Sequence, residues 1–171
     1  MANVNNAHGL RPLMRSIAGG PAAVLPAHKL VGDGTALFIY DAVAKAASGT
    51  KTTQCITAGT AGAALEGVNL IYGKAATATD HLIIPGTTQV FEAQIDTIAA
   101  ANMGQNCALV AGAGSTVTYM SGHSLNGVAA TNTLAFHVVG LWASSDNALG
   151  AYARIEVIFN KGQLVDQALG V

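Results

Sequence analysis

The 171-residue chain has little charge: only 10% of its residues are Asp, Glu, Lys or Arg, against the quarter or so usual in soluble domains. From Thr97 to Ser145 there is none at all. Eight basic residues stand against nine acidic ones, a net charge of −1, so counterion release from a phosphate backbone has nothing to drive it and no nucleic-acid partner is expected. Long hydrophobic runs are missing too. Although 51% of the residues are apolar and the mean hydropathy is +0.41, no run reaches the roughly 18 apolar residues of a membrane-crossing helix. No membrane partner is expected. Much of the apolar count is alanine, and a surface poor in charge suits a protein that ends up against other subunits.

Cysteine is scarce as well. Cys55 and Cys107 lie far apart with no CxxC spacing, which predicts buried reduced thiols, with a disulfide as the alternative. The five histidines, His8, His28, His81, His123 and His137, fall singly. No metal site and no cofactor is expected. The early run "SIAGGPAAVLPA" is broken by Gly and Pro where a secretory signal needs a continuous apolar helix, so synthesis in the cytoplasm is the expectation.

Residues 1–29 carry no period, and Pro12, Pro21 and Pro26 each remove a donor; the expectation is an extended N-terminal arm. Residues 30–160 read as one β-domain and 161–171 as a tail. Within the domain, "TALFIYDAVA", "LEGVNLIYGK", "HLIIPG" and "NTLAFHVVGLWA" are strand candidates between turn clusters. "QVFEAQID" alternates most cleanly, with Phe91, Ala93 and Ile95 on the core face and Val90, Glu92, Gln94 and Asp96 on the other. In "AYARIEVIFN", Ala153, Ile155, Val157 and Phe159 share a face opposite Tyr152, Arg154 and Glu156. "TIAAANMG" offers one short helical turn closed by Gly104. Short strands at this spacing predict an all-β sandwich or barrel with at most one short helix.

The sharpest catalytic near-match is "GHSLN", which places Ser124 as the nucleophile elbow of an α/β-hydrolase does. That elbow needs a strand-to-helix turn, and its acid and histidine must follow in that order. Here the acids Asp146, Glu156 and Asp166 all come after the last histidine, so a loop between strands is the better reading. "AGAGS" lacks the GK[ST] ending of a phosphate loop and reads as a turn. The carboxylates are isolated and choose no acid–base pair. No enzymatic activity is expected.

Taken in order, "GLRP" (Gly9–Pro12), the Gly-Gly turn after it, "ALFIYDAV", "VFEAQID", "GSTVT" and "LAFHVVGLWASSDNALGAYARIEVIFN" resemble a family of small tailed-bacteriophage proteins. These are described as capsid cement, decoration or head-stabilising proteins. The chain departs from them at "YDAV", where members often carry a Gly-Asp-Pro-Val turn, so the loop after Tyr40 is expected to differ. The resemblance implies a jelly-roll-like β-domain that forms homo-oligomers, dimers or trimers. It implies the major capsid protein as partner and the outer capsid surface of the virion as location. On that expectation the arm docks on a neighbour, with Leu10 and Pro12 giving apolar contact while Arg11 and Arg15 pair with acidic capsid groups. Two further readings stand beside it: another virion component, such as a head-fibre base or tail protein, and a carbohydrate-binding β-sandwich. The last expects exposed aromatics on loops, and only Tyr119 falls near a turn.

Overall fold

The computed structural model describes residues 3–16, 23–30, 32–46, 55–87, 89–131 and 133–160, with the backbone alone at 14–16 and 55. The expected C-terminal tail, 161–171, lies outside them. The fold is all-β, as the turn-punctuated strands predict, and its one helical element among the described residues is a 3-10 turn at Ala100–Asn102.

Among the described residues thirteen strands build two bodies and a small ribbon. A six-stranded antiparallel sheet comprises β1 (Arg11–Ser16), β7 (Gln89–Gln94), β13 (Arg154–Phe159), β11 (Phe136–Leu141), β9 (Asn106–Val110) and β10 (Ser124–Ala129), in that spatial order. A closed barrel runs β2 (Leu25–Lys29), β4 (Cys55–Ala58), β3 (Ala42–Lys45), β5 (Leu65–Asn69) and β6 (Thr79–Pro85). Closure removes the unpaired edges that invite further strands. A small ribbon pairs β8 (Thr97–Ile98) with β12 (Gly150–Ala151).

The core follows the sequence alternation of β13: Ala153, Ile155, Val157 and Phe159 are all buried. Phe159 lies between Phe91 and Phe136, with ring centroids 5.3 and 4.9 Å away, tilted against the first and edge-on to the second. Aromatic quadrupoles favour the edge-on arrangement over a face-to-face stack. Ala42, Leu65, Val68 and Ile84 of the barrel join this cluster and fasten the two bodies together. A smaller cluster of Ala27, Leu37, Val43, Ile56 and Ile83 forms a second core. Fully burying each large apolar side chain contributes about 1.5–3 kcal/mol.

The expected boundary after residue 29 is corrected by the structure. Residues 25–29 are a barrel strand, pairing with β6 from Leu25↔Ile83 to Lys29↔Thr79 and with β4 at His28 and Lys29. Pro26 is tolerated because that stretch of β2 pairs with β6 alone. Residues 3–16 are not a free arm either. β1 pairs with β7, Leu10 is 1% exposed in the main core, and Gly9 threads a gap that no other residue fits. Gly9 has φ +78°, and a Cβ there would lie 2.3 Å from the Tyr40 carbonyl oxygen.

Candidate functional site

β7 occupies the second position in the sheet, between β1 and β13, and residues 3–10 run over it. Glu92 and Gln94 alternate away from the apolar core, as predicted, but the segment 3–11 covers them. All six residues of β7 are buried, and Glu92 is fully so. Gln94 stitches the cover down: its Oε1 accepts from Asn6 N–H at 3.2 Å and its Nε2 donates to the Val4 carbonyl at 2.8 Å. Asn3 likewise donates to the carbonyls of Ala148 and Ala151, both at 2.8 Å.

Three basic side chains converge on Glu92. Arg11, directly opposite in register, donates through Nε at 2.9 Å and Nη2 at 2.5 Å to Oε2. His8 Nε2 stands 3.6 Å from Oε1, and Arg154 Nη1 stands 3.8 Å from it. Arg154 turns its other terminal nitrogen to Asp146 at 2.5 Å. Burial opposes ionisation of Glu92, but His8 and Arg11 outweigh it and hold the carboxyl below its usual range. The same carboxylate, against some desolvation, raises the His8 imidazole.

Above this floor opens a cavity of about 860 Å³, walled by the 3–11 segment, the 113–122 loop and the 146–154 turn. Its size falls within that of small-molecule sites. Tyr40 and Tyr152 line it, and Tyr119 sits between the lining residues Thr118 and Met120. All three tyrosines have left-handed backbones, φ 72°, 59° and 55° for Tyr40, Tyr119 and Tyr152. For a bulky residue each is an outlier. Tyr119 and Tyr152 are also 46% and 39% exposed. Tyr152 therefore leaves the strand in which the sequence places it and sits on a turn between β12 and β13.

A second polar group adjoins the cavity through Ser121. Asp41 Oδ2 accepts from Phe38 N–H at 2.7 Å, and His123 Nε2 lies 3.5 Å from Asp41 Oδ1. His123 Nδ1 accepts from Ala42 N–H at 3.2 Å, and Ser121 Oγ accepts from His123 N–H at 3.0 Å. A triad imidazole must face serine with one nitrogen and carboxylate with the other. Here the nitrogen away from Asp41 is taken by the backbone, so the group is a structural clasp. Burial raises Asp41 and lowers His123. Ser124 opens β10, opposite Val110, rather than a strand-to-helix elbow.

The barrel holds a third polar group. Lys29 is fully buried and donates to the Asp33 carbonyl at 2.8 Å, while His81 bonds Asn69 Oδ1 at 2.7 Å. Burial and then the Lys29 charge lower His81. No group of three His, Cys, Asp or Glu with metal-holding geometry occurs among the described residues.

Of the four residues expected to contact a partner, Leu10 belongs to the chain's own core, and Arg11 pairs with Glu92 while its side chain stays 47% exposed. The expectation for Leu10 is corrected: its contacts are intramolecular because the N-terminal segment packs on the chain's own core. Pro12 stands half-buried opposite Phe91, and the Arg15 side chain lies outside the described atoms. Comparison with known proteins returns no matching family model, no matching curated protein and no matching solved structure.

Proposed function

We propose that the chain is a structural virion protein that binds the outer surface of a phage capsid and reinforces contacts between major capsid protein subunits. The observation that carries this reading is a set of exposed apolar side chains on adjacent strands of a chain of very low charge. Leu82 is 41% exposed directly opposite Pro26, with Leu25 and Val24 beside it at 40% and 48%. Exposed apolar side chains on adjacent strands mark contact sites, and the ordered resemblance to cement proteins names the kind of contact. A cement protein adds buried area across a junction, so separating capsid subunits must break those contacts too. A specific interface of about 1,200–2,000 Å² is expected. A dimer or trimer matching the local symmetry would grip several subunits at once.

Removing the N-terminal residues would destroy the fold rather than test the docking, since Leu10 is core. The test is cosedimentation of the intact chain with capsids built from its cognate major capsid protein, alongside Leu82→Glu. Saturable binding at a fixed copy number, weakened at least tenfold by Leu82→Glu, is the expected result. A chain that stays in the supernatant overturns the reading.

A further inference from the structure

Three of the chain's four tyrosines hold a backbone conformation that costs about 1–2 kcal/mol each in an L-residue. A glycine would carry each turn without that cost. Strain of this kind is retained where something beyond folding uses the side chain. Neither Tyr119 nor Tyr152 is in the core, and both are exposed by more than a third. Tyr119 packs on Tyr72 at 4.6 Å, and Tyr72 on Phe38 at 5.5 Å. The result is an aromatic shelf beside the cavity, with Tyr152 in its lining.

The charges of the floor select the ligand. Glu92 and Asp146 stand against Arg11 and Arg154, so each guanidinium already has its carboxylate. His8 shares Glu92 with Arg11, so a ligand anion would have to compete with Glu92 and Asp146 for every cation of the floor, and a ligand cation would face two arginines and His8. Yet a guanidinium carries five donors, and the Arg11 side chain remains 47% exposed with Arg154 at 26%. These forks suit neutral oxygen acceptors in adjacent pairs. The wall amides of Asn3, Gln94 and Asn147 are engaged with the walls' own main chain, which leaves the two guanidinium forks as the donors the floor turns to a ligand. We infer that the cavity over the Arg11–Glu92 pair is a binding site for a neutral saccharide, whose C–H face rests on Tyr152 and whose hydroxyls meet Arg11 and Arg154. A sugar combines apolar ring faces with many acceptor oxygens and no charge, which is what the site presents in complement. The inference is independent of capsid binding.

Saturation-transfer NMR on the full chain tests it. The probes are methyl α-mannoside, lactose, N-acetylglucosamine and maltotriose, with glucuronate and an uncharged Ala-Gly-Thr-Ser peptide as competing classes. Transfer to at least one neutral sugar is expected, weakened tenfold or more in Tyr152→Gly. That variant suits the left-handed turn, so its thermal midpoint should equal or exceed that of the parent, which separates lost binding from lost folding. The inference is overturned if none of the four neutral sugars shows transfer, if glucuronate or the peptide binds more tightly, or if Tyr152→Gly binds undiminished.

Discussion

Arg11 and Glu92 face each other across the β1–β7 pairing, and two nitrogens of the one bond a single oxygen of the other at 2.9 and 2.5 Å. The carboxylate is fully buried, whereas the guanidinium is 47% exposed. The pair is therefore asymmetric: losing the arginine leaves a buried charge with only the longer contacts to His8 and Arg154, at 3.6 and 3.8 Å, while losing the carboxylate leaves an arginine that can reach water. Arg11→Ala is expected to destabilise the chain by about 2–4 kcal/mol, toward the lower figure because Arg11 is half in solvent. Adding Glu92→Leu should recover part of that loss by removing the under-compensated buried charge. Urea denaturation of the two variants gives the comparison, and a double variant less stable than Arg11→Ala would contradict it.

His8 gives the site a pH signature of definite sign. Its folded pKa is raised from 6.5, so its contribution is complete below that value and is lost as pH rises through the folded value. Glu92 is lowered from 4.5, so its contribution is present above that value and is lost in acid. The His8–Glu92 contact is thus worth most between the two ordinary values. His8→Gln should lower the thermal midpoint at about pH 5.5 and differ little from the parent at about pH 8.5. An equal gap at both would assign the effect to packing instead of charge.

How much of this could be read from the sequence depends on what each pattern encodes. The alternation in "QVFEAQID" gives the strand and its two faces, because side-chain direction has period two. It does not reveal what lies over the second face. The cover on Gln94 comes from Asn6, 88 positions away, and residues 3–10 have no period to announce it. The alternate apolar positions of β13, with Ala153 just before it, were legible for the same reason that β7 was, and there the buried face is the whole answer. Pro26 misdirects, because a proline reads as a strand breaker although β2 accepts it where pairing is one-sided. Of the three left-handed tyrosines only Tyr119 left a mark, as an aromatic near a turn: Gly or Asn would have flagged the turns at Tyr40 and Tyr152, and tyrosine flags a strand.

Leu10 decides whether the N-terminal segment belongs to the fold. It is 1% exposed among the main core residues, so Leu10→Ala removes buried methyl groups and leaves a cavity. A loss of about 2–5 kcal/mol is expected. Calorimetry of the free protein is the measurement, and a midpoint within error of the parent would mean that the segment is ordered by something other than its own core.

Cys107 should be chemically silent until the sheet opens. It is a free, fully buried thiol, and burial pushes its pKa up to about 12. The thiolate is the reactive species, so almost none is present at neutral pH. In a Cys55→Ser background, labelling by an aromatic disulfide reagent should follow the denaturant unfolding curve. Labelling in native buffer within minutes would show that β9 opens far more readily than its place in the sheet implies.

Gly9 and Ala76 make opposite predictions from the same backbone region. Ala76 has φ 53° and is exposed, so Ala76→Gly relieves a left-handed alanine and should raise stability by about 1 kcal/mol. Gly9 also has positive φ, but its surroundings leave no slack. A Cβ would meet the Tyr40 oxygen at 2.3 Å and Ser121 Cβ at 2.5 Å. The backbone cannot retreat without breaking two bonds, Gly9 N–H to the His123 carbonyl at 3.1 Å and Leu10 N–H to the Tyr40 carbonyl at 2.9 Å. These bonds join the N-terminal segment to the loops that carry Tyr40 and the Asp41–His123 clasp. Gly9→Ala should therefore cost more than the roughly 1–2 kcal/mol of backbone strain alone, and it should shift backbone amide resonances of Tyr40 and His123. A soluble Gly9→Ala protein with parental stability would show that the segment has another seat on the molecule.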